Sequence, residues 1–303
     1  MIEQHLANGL MLGAIYGLIA VAFTMVYGII ELVNLAFGEI FMSGAFVAVT
    51  LSATAVVLFG TVVPMPDLPF WLALPLAVVF AAILGGLIER IAYKPLRRAP
   101  RLAPFISAIG VSIFLQGLGQ SIFGTSETPF PNPVGGPPII IGNVRVQPLS
   151  VLILVIALGA MAALALLVRS TPIGRAMRAS AQDPDAATLV GINVDRIILV
   201  TFMLGSALAG LAGILYGANF GFAHYYMGFI PTLKGLVAAV LGGIGNIPGA
   251  FLGGMVLGIV ESLGAGLVPG GAPYRDAIGF AILTILLWLR PQGLLGVRLR
   301  ERA

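Results

Sequence analysis

The chain has 303 residues, of which 59% are hydrophobic and 9% charged, with a mean hydropathy of +1.05 and a formal net charge of +4. Soluble domains carry about 25% charged residues, so this chain cannot cover a water-facing surface and its solvent is lipid. The excess of positive charge belongs to loops that fix orientation in a bilayer, which excludes a nucleic-acid-binding reading.

Thiol and metal chemistry are excluded next. There is no cysteine, and His5 and His224 stand far apart without metal-ligand spacing. No GxxxxGK[ST] phosphate loop occurs, so ATP hydrolysis by that route would need another chain. No nucleophile–base pair suggests a membrane enzyme.

A crossing helix needs about 20 mostly apolar residues. Met1–Asn8 lacks the basic start of a signal peptide, so Leu10–Ile30 reads as a retained span. In chain order, hydropathy predicts spans at 8–28, 36–60, 70–89, 104–123, 149–168, 198–220, 229–245, 249–267 and 274–290. Only Asn246-Ile247-Pro248 separates 229–245 from 249–267, so these are two crossings or one re-entrant pair. The expected fold is a single all-α membrane domain over 1–303, a bundle of eight or nine segments.

Basic residues orient it. Arg90, Lys94, Arg97, Arg98 and Arg101 share one loop, Arg169, Arg175, Arg178 and Arg196 another, and Arg290, Arg298, Arg300 and Arg302 form the tail. All three groups fall on one side, which the positive-inside rule makes cytoplasmic, with the N-terminus outside and the C-terminus inside. The external loop 124–148 is proline-rich, and Ile139–Val146 predicts two short strands around Gly142-Asn143. Glycines recur every fourth residue: Gly9, Gly13 and Gly17; Gly213, Gly217 and Gly221; Gly249 with Gly253; and Gly254 with Gly258. Such faces serve either packing within the bundle or a subunit interface.

Charged residues inside spans are costly and therefore candidates for function. Glu39 falls in the first turn of the second span, with Asn34 just before it. Both are candidates for lining the inner part of a path, and Glu39 equally for a structural anion at a helix end. Glu31 reads as a solvated loop residue. Lys234 and Glu261 lie at similar depths from the outer ends of their spans, on the order of 7–9 Å. Neighbouring antiparallel helices would bring them together, either as a structural ion pair or as a polar lining near an outer gate.

The inner loop 169–197 is long and charged. Asp183 before Pro184 is a good N-cap, Asp185 sits in the favourable first turn, and Gly191 stops the short helix that Ala186 and Ala187 continue. Asp185-Ala186-Ala187-x-x-x-Gly191 resembles the EAA loop of ABC importer permeases, with Asp in place of Glu and without the downstream Ile-x-Leu-Pro part. In that family the loop forms a coupling helix seated on the ATPase; read alone, this one is better taken as a plain connector.

Over nearly its whole length the chain resembles the branched-chain amino acid ABC permease family, and in particular the shorter of its two related permease subunits. The matching stretches are MVYGIIELVNLAFGEIFMSGAF, IERIAYKPLRR, ISAIGVSIFLQ, GRAMRASAQDPDAATLVGINVDR, AAVLGGIGNIPGAFLGG and LLWLRPQGLLG, in the family's order and spacing. Phe37 stands where members often have His, so no role of that histidine carries over.

The resemblance implies a type II ABC importer-like fold, related to the ribose and vitamin B12 permeases, in the bacterial inner membrane. It implies ATPase coupling through Arg175, Arg178, Asp183, Asp185, Ala186, Ala187 and Gly191. The implied partners are a second homologous permease, two cytoplasmic ATPase subunits that hold ATP and Mg, and an external solute-binding protein. No cofactor is implied for this chain. Relatives also move urea or short amides, and an ion-coupled secondary transporter is the competing class.

Overall fold

The first helix is the axis around which the rest is built. The computed structural model describes residues 2–30, 34–97, 99–100, 102–142, 144–267, 271–289 and 293–295. Arg98, Arg101, Arg290, Arg298, Arg300 and Arg302, along with Glu31 and Asn143, lie outside the described residues. The helices in chain order are α1 (Ile2–Ile30), α2 (Phe37–Ser52), α3 (Phe70–Ile88), α4 (Leu102–Phe123), α5 (Pro148–Ser170), α6 (Pro172–Gln182), α7 (Pro184–Leu189), α8 (Val194–Phe220), α9 (Phe229–Gly242), α10 (Ile247–Leu267) and α11 (Arg275–Leu289). Among the described residues, six helices are long and apolar enough to cross a membrane: α1, α3, α4, α5, α8 and α10.

From Gly9 to Val26 almost every residue of α1 is buried, because α8, α9 and α10 pack around it. The closest seam is with α10. A Cβ on Gly13 would sit 2.7 Å from the Met255 Cα, and one on Gly9 2.7 Å from the Ile259 Cα, so backbone touches backbone. Gly254 and Gly258 face Gly17 and Gly13 in return. Close approach yields dispersion contacts that lipid does not supply. The glycine faces of α1 and α10 are therefore spent on packing inside the chain. Gly213 likewise abuts the backbone of Phe41, and Gly253 that of Ala238.

The segment expected to span 36–60 is shorter in the structure. Helix α2 stops at Ser52, and the chain turns into an antiparallel hairpin of β1 (Ala55–Leu58) and β2 (Thr61–Pro64). Phe59 and Gly60, at φ 50° and 77°, make the two-residue turn that matches strand twist. Hydropathy cannot separate the two, because Val56, Val57 and Leu58 are as apolar as the helix before them.

Helix α3 also differs from its expected end. It continues past Ile88 as a π-helical turn at Glu89–Tyr93 and a 3₁₀ turn at Lys94–Leu96. Helix α9 has only 14 residues, about 21 Å at 1.5 Å per residue, too short to cross by itself.

Two further pairings lie on the α1 N-terminal side. Strands β4 (Ile139–Ile141) and β5 (Val144–Val146) form the expected hairpin. Strand β3 (Thr128–Pro129) pairs with β6 (Phe222–Ala223) at the end of α8. Gln4 accepts from the Arg145 amide at 2.8 Å and donates to its carbonyl at 3.0 Å, tying the start of α1 to the hairpin. At the opposite end, the Leu294 and Leu295 amides donate to the carbonyls of Leu241 and Gly242. These bonds satisfy last-turn carbonyls of α9 that have no partner within the helix.

Candidate functional site

Lys234 sits in the second turn of α9 and Glu261 in the last third of α10. Their side chains meet with Lys234 Nζ 2.9 Å from Glu261 Oε1. Three further side chains complete the cluster. Tyr16 donates its hydroxyl to Glu261 Oε1 at 3.3 Å and accepts from Lys234 at the same distance. Arg275, at the start of α11, reaches Glu261 through Nε. Asp276 accepts from Lys234 at 2.6 Å. Two cations face two anions, so the group is neutral in sum. Glu261 is the hub and is wholly buried, whereas the Asp276 side chain is 52% exposed.

The cluster is deeper than counting from helix ends suggests. Tyr16 is the middle residue of α1, about 21 Å from either end. Its partners reach that depth because α9 and α11 are short helices that begin partway through the bundle.

A cavity of about 550 Å³ opens beside the cluster, at the N-terminal end of α1. Its lining includes Gln4, His5 and Asn8 from α1, Arg145 from the hairpin, Ser262 from α10, and Arg275.

Asn34 and Glu39 lie elsewhere, at the entry to α2. Asn34 is buried; its side-chain oxygen accepts from the Ala36 amide at 3.0 Å and from the Tyr93 hydroxyl at 2.8 Å. Glu39 is also buried and takes a 2.5 Å hydrogen bond from Ser112 on α4. Among the described residues, no hydrogen bond or ion pair joins these two residues to Lys234 or Glu261.

The inner loop 169–197 is two helices. Thr171 caps α6 through Gly174 N at 3.1 Å, and Asp183 caps α7 by accepting from Asp185 N and Ala186 N, both at 3.0 Å. Gly191, at φ 85°, turns the chain toward α8, where Asn193 caps the Arg196 amide. Asp185 and Ala186 are exposed, whereas Ala187 is 3% exposed and packs inward. Arg175 and Arg178 are exposed, and Arg178 donates to the carbonyl of Val168. Beyond α7, Leu189 and Val190 are 88% and 77% exposed, an apolar knob on an otherwise polar end.

Comparison with known proteins decides the family. A model described as "Branched-chain amino acid transport system / permease component" matches residues 5–287. The chain belongs to that permease family. It is 39% identical over 301 residues to the high-affinity branched-chain amino acid transport system permease protein LivH of Salmonella typhimurium, covering 97% of this chain and 95% of that one. Similarity to BraD of Pseudomonas aeruginosa, which carries the same description, is 40% over 298 residues, with 97% and 95% covered. Among solved structures, PsaBC from Streptococcus pneumoniae in complex with Fab is similar over 94% of this chain and 91% of that one, at a TM-score of 0.49 and 15% identity.

In this permease, sequence reasoning missed Tyr16, Arg275 and Asp276. Arg275 and Asp276 carried a signal, as two adjacent charges opening the last apolar segment. A second network also went unseen. At the α3 end Glu89 is buried and paired with Arg97, and both Arg97 and Lys94 bridge to Asp195 in the first turn of α8, at 2.5 Å and 3.3 Å. It links the loop after α3 to the helix that follows α7.

Proposed function

We propose that the chain is the membrane-spanning subunit of an ATP-driven importer that carries branched-chain amino acids inward across the bacterial cytoplasmic membrane. The match of residues 5–287 to a permease family named for branched-chain amino acid transport carries this reading. The α1 N-terminus and the Arg145 hairpin face outside, and α6–α7 faces the cytoplasm. A separate ATPase subunit docks on α6–α7, with Asp185, Ala186 and the Leu189–Val190 knob as its contact. Arg175 and Arg178 supply charge around it, and Asp183, Ala187 and Gly191 hold its shape. A second permease subunit, a second ATPase and an external binding protein complete the assembly; ATP and Mg are bound by the ATPases. Lys234 and Glu261 border the outer part of the solute path, and Asn34 and Glu39 the inner part.

The test is uptake of radiolabelled leucine, isoleucine and valine by the source bacterium with and without this gene. Loss of all three on deletion, restored by the gene in trans, is the expected result. Unchanged uptake of these with loss of urea or acetamide uptake would reassign the solute. Uptake abolished by collapsing the proton gradient while ATP is maintained would replace the ATP-driven mechanism with an ion-coupled one.

A further inference from the structure

We infer that the cavity at the N-terminal end of α1 is a solute-receiving site for a free carboxylate-bearing molecule, with Arg275 and Arg145 as the carboxylate anchors. The inference rests on the proposed function for its direction and deepens it by naming the solute's chemistry.

The cavity's volume of about 550 Å³ lies within the range of about 300–1,000 Å³ usual for small-molecule sites. Its lining has two guanidinium groups, Arg145 and Arg275, and no Asp or Glu. A site with that balance favours an anionic group. Arg275 is held for the task. Its Nε is paired with Glu261, and the residue itself lines the cavity. A guanidinium fixed on one edge and open on another suits bidentate pairing with a carboxylate. The buried cluster behind it keeps the Arg275 charge from being stranded, since Glu261 receives Lys234 as well.

The remaining wall fits the rest of an amino acid. Met11, Leu12 and Phe220 offer apolar surface to an aliphatic side chain, and Asn8 offers an amide carbonyl to an ammonium. The cavity touches the same Arg275 that closes the charge cluster at mid-depth of α1. A solute released at the outer face therefore meets this site before any deeper part of the path.

The experiment uses the intact transporter complex, reconstituted in nanodiscs without its binding protein, and measures equilibrium binding of radiolabelled leucine. Unlabelled leucine, 4-methylpentanoate (leucine without its ammonium) and leucinamide (its carboxylate masked) compete. Saturable binding is expected, displaced by leucine and by 4-methylpentanoate, with leucinamide weaker by about tenfold or more, as loss of a hydrogen bond to a charged group requires. Arg145→Gln, on an exposed strand, is expected to weaken leucine severalfold without lowering the melting temperature of the complex. Arg275→Lys keeps a cation beside Glu261 and is expected to weaken leucine more strongly by losing the fork. Leucinamide binding as tightly as leucine would overturn the inference. So would the absence of saturable binding to a complex that supports leucine uptake in cells, a result that leaves the proposed function standing. Absence of uptake of any branched-chain amino acid in cells would overturn the proposed function and this inference together.

Discussion

Replacing Glu261 with Gln removes the hub of the buried cluster, and the structure sets the size of the effect. Glu261 is wholly buried and receives Lys234, Arg275 and the Tyr16 hydroxyl on one carboxylate. In Glu261→Gln two cations are left facing Asp276, whose side chain is 52% exposed. Breaking a buried pair from one side costs about 3–5 kcal/mol, and this variant is expected in that range. Lys234→Met is milder. Glu261 keeps Arg275 and Tyr16, and the Asp276 side chain is 52% exposed rather than buried, so a loss of about 1–3 kcal/mol is expected, the cost of leaving a charged group short of one hydrogen bond. The double variant removes both buried members and leaves Arg275 beside Asp276, each partly exposed. Its loss is expected to fall short of the sum of the singles by at least about 1 kcal/mol, since groups in contact do not act independently. Unfolding of the purified permease in graded denaturing detergent, followed by tryptophan fluorescence, gives the three values. A double-variant loss equal to the sum within about 0.5 kcal/mol would refute the coupling. A larger loss for Lys234→Met than for Glu261→Gln would refute Glu261 as the hub.

Gly13→Val is expected to prevent folding to the wild-type state, because its Cβ would come within 2.7 Å of the Met255 Cα, whereas Gly117→Ala on the open face of α4 is expected to leave thermal stability unchanged; melting temperatures of the two variants check this. Leu189→Asp, with Ala186→Trp as a second variant, is expected to abolish ATPase co-purification and uptake at normal membrane abundance, and wild-type co-purification would remove α7 from the contact. Cysteine placed at Asn132 is expected to react with a membrane-impermeant maleimide in intact cells and cysteine at Ala186 to be shielded. The chain has no native cysteine to interfere, and labelling at 186 from outside would reverse the orientation. Asn34→Ala is expected to cost about 1–3 kcal/mol by leaving the buried Ala36 amide and Tyr93 hydroxyl without their acceptor, read by the same unfolding assay.

What was legible in the sequence follows the strength of each local signal. Asp183 before Pro184, with Gly191 at the other end, described α7 fully, because an N-cap and a left-handed stop are decided within a few residues. The hairpin at Ile139–Val146 announced itself through its turn in the same way. The meeting of Lys234 with Glu261 was within reach because both depths could be counted along helices joined by a short turn. Arg275 was not, since hydropathy gives the length of an apolar segment and not the height at which it starts. Tyr16 was hidden differently: α1 is apolar on every side, so nothing in its pattern marks the face that meets Glu261. The shortening of α2 at Ser52 reflects a third limit, that a buried strand pair and a helix can share one apolar composition.

The seam between α1 and α10 has a bearing on how the molecule is made. Helix α1 leaves the ribosome well before its partner, which begins only at Ile247, 217 residues after Ile30 by their numbers. At about 5–20 residues per second, that separation corresponds to roughly 10–45 s of synthesis. For that interval the helix destined for the centre stands in lipid with its glycine face uncovered. Its apolar character on all sides lets it wait there, and the one Asp, Glu, Lys or Arg within Ile2–Ile30 is Glu3 in the first turn, so nothing further along the helix draws it back to water. The same grooves that later seat Gly254 and Gly258 are meanwhile open to any other small-residue helix nearby, so the order of synthesis leaves correct assembly dependent on α10 reaching the seam first.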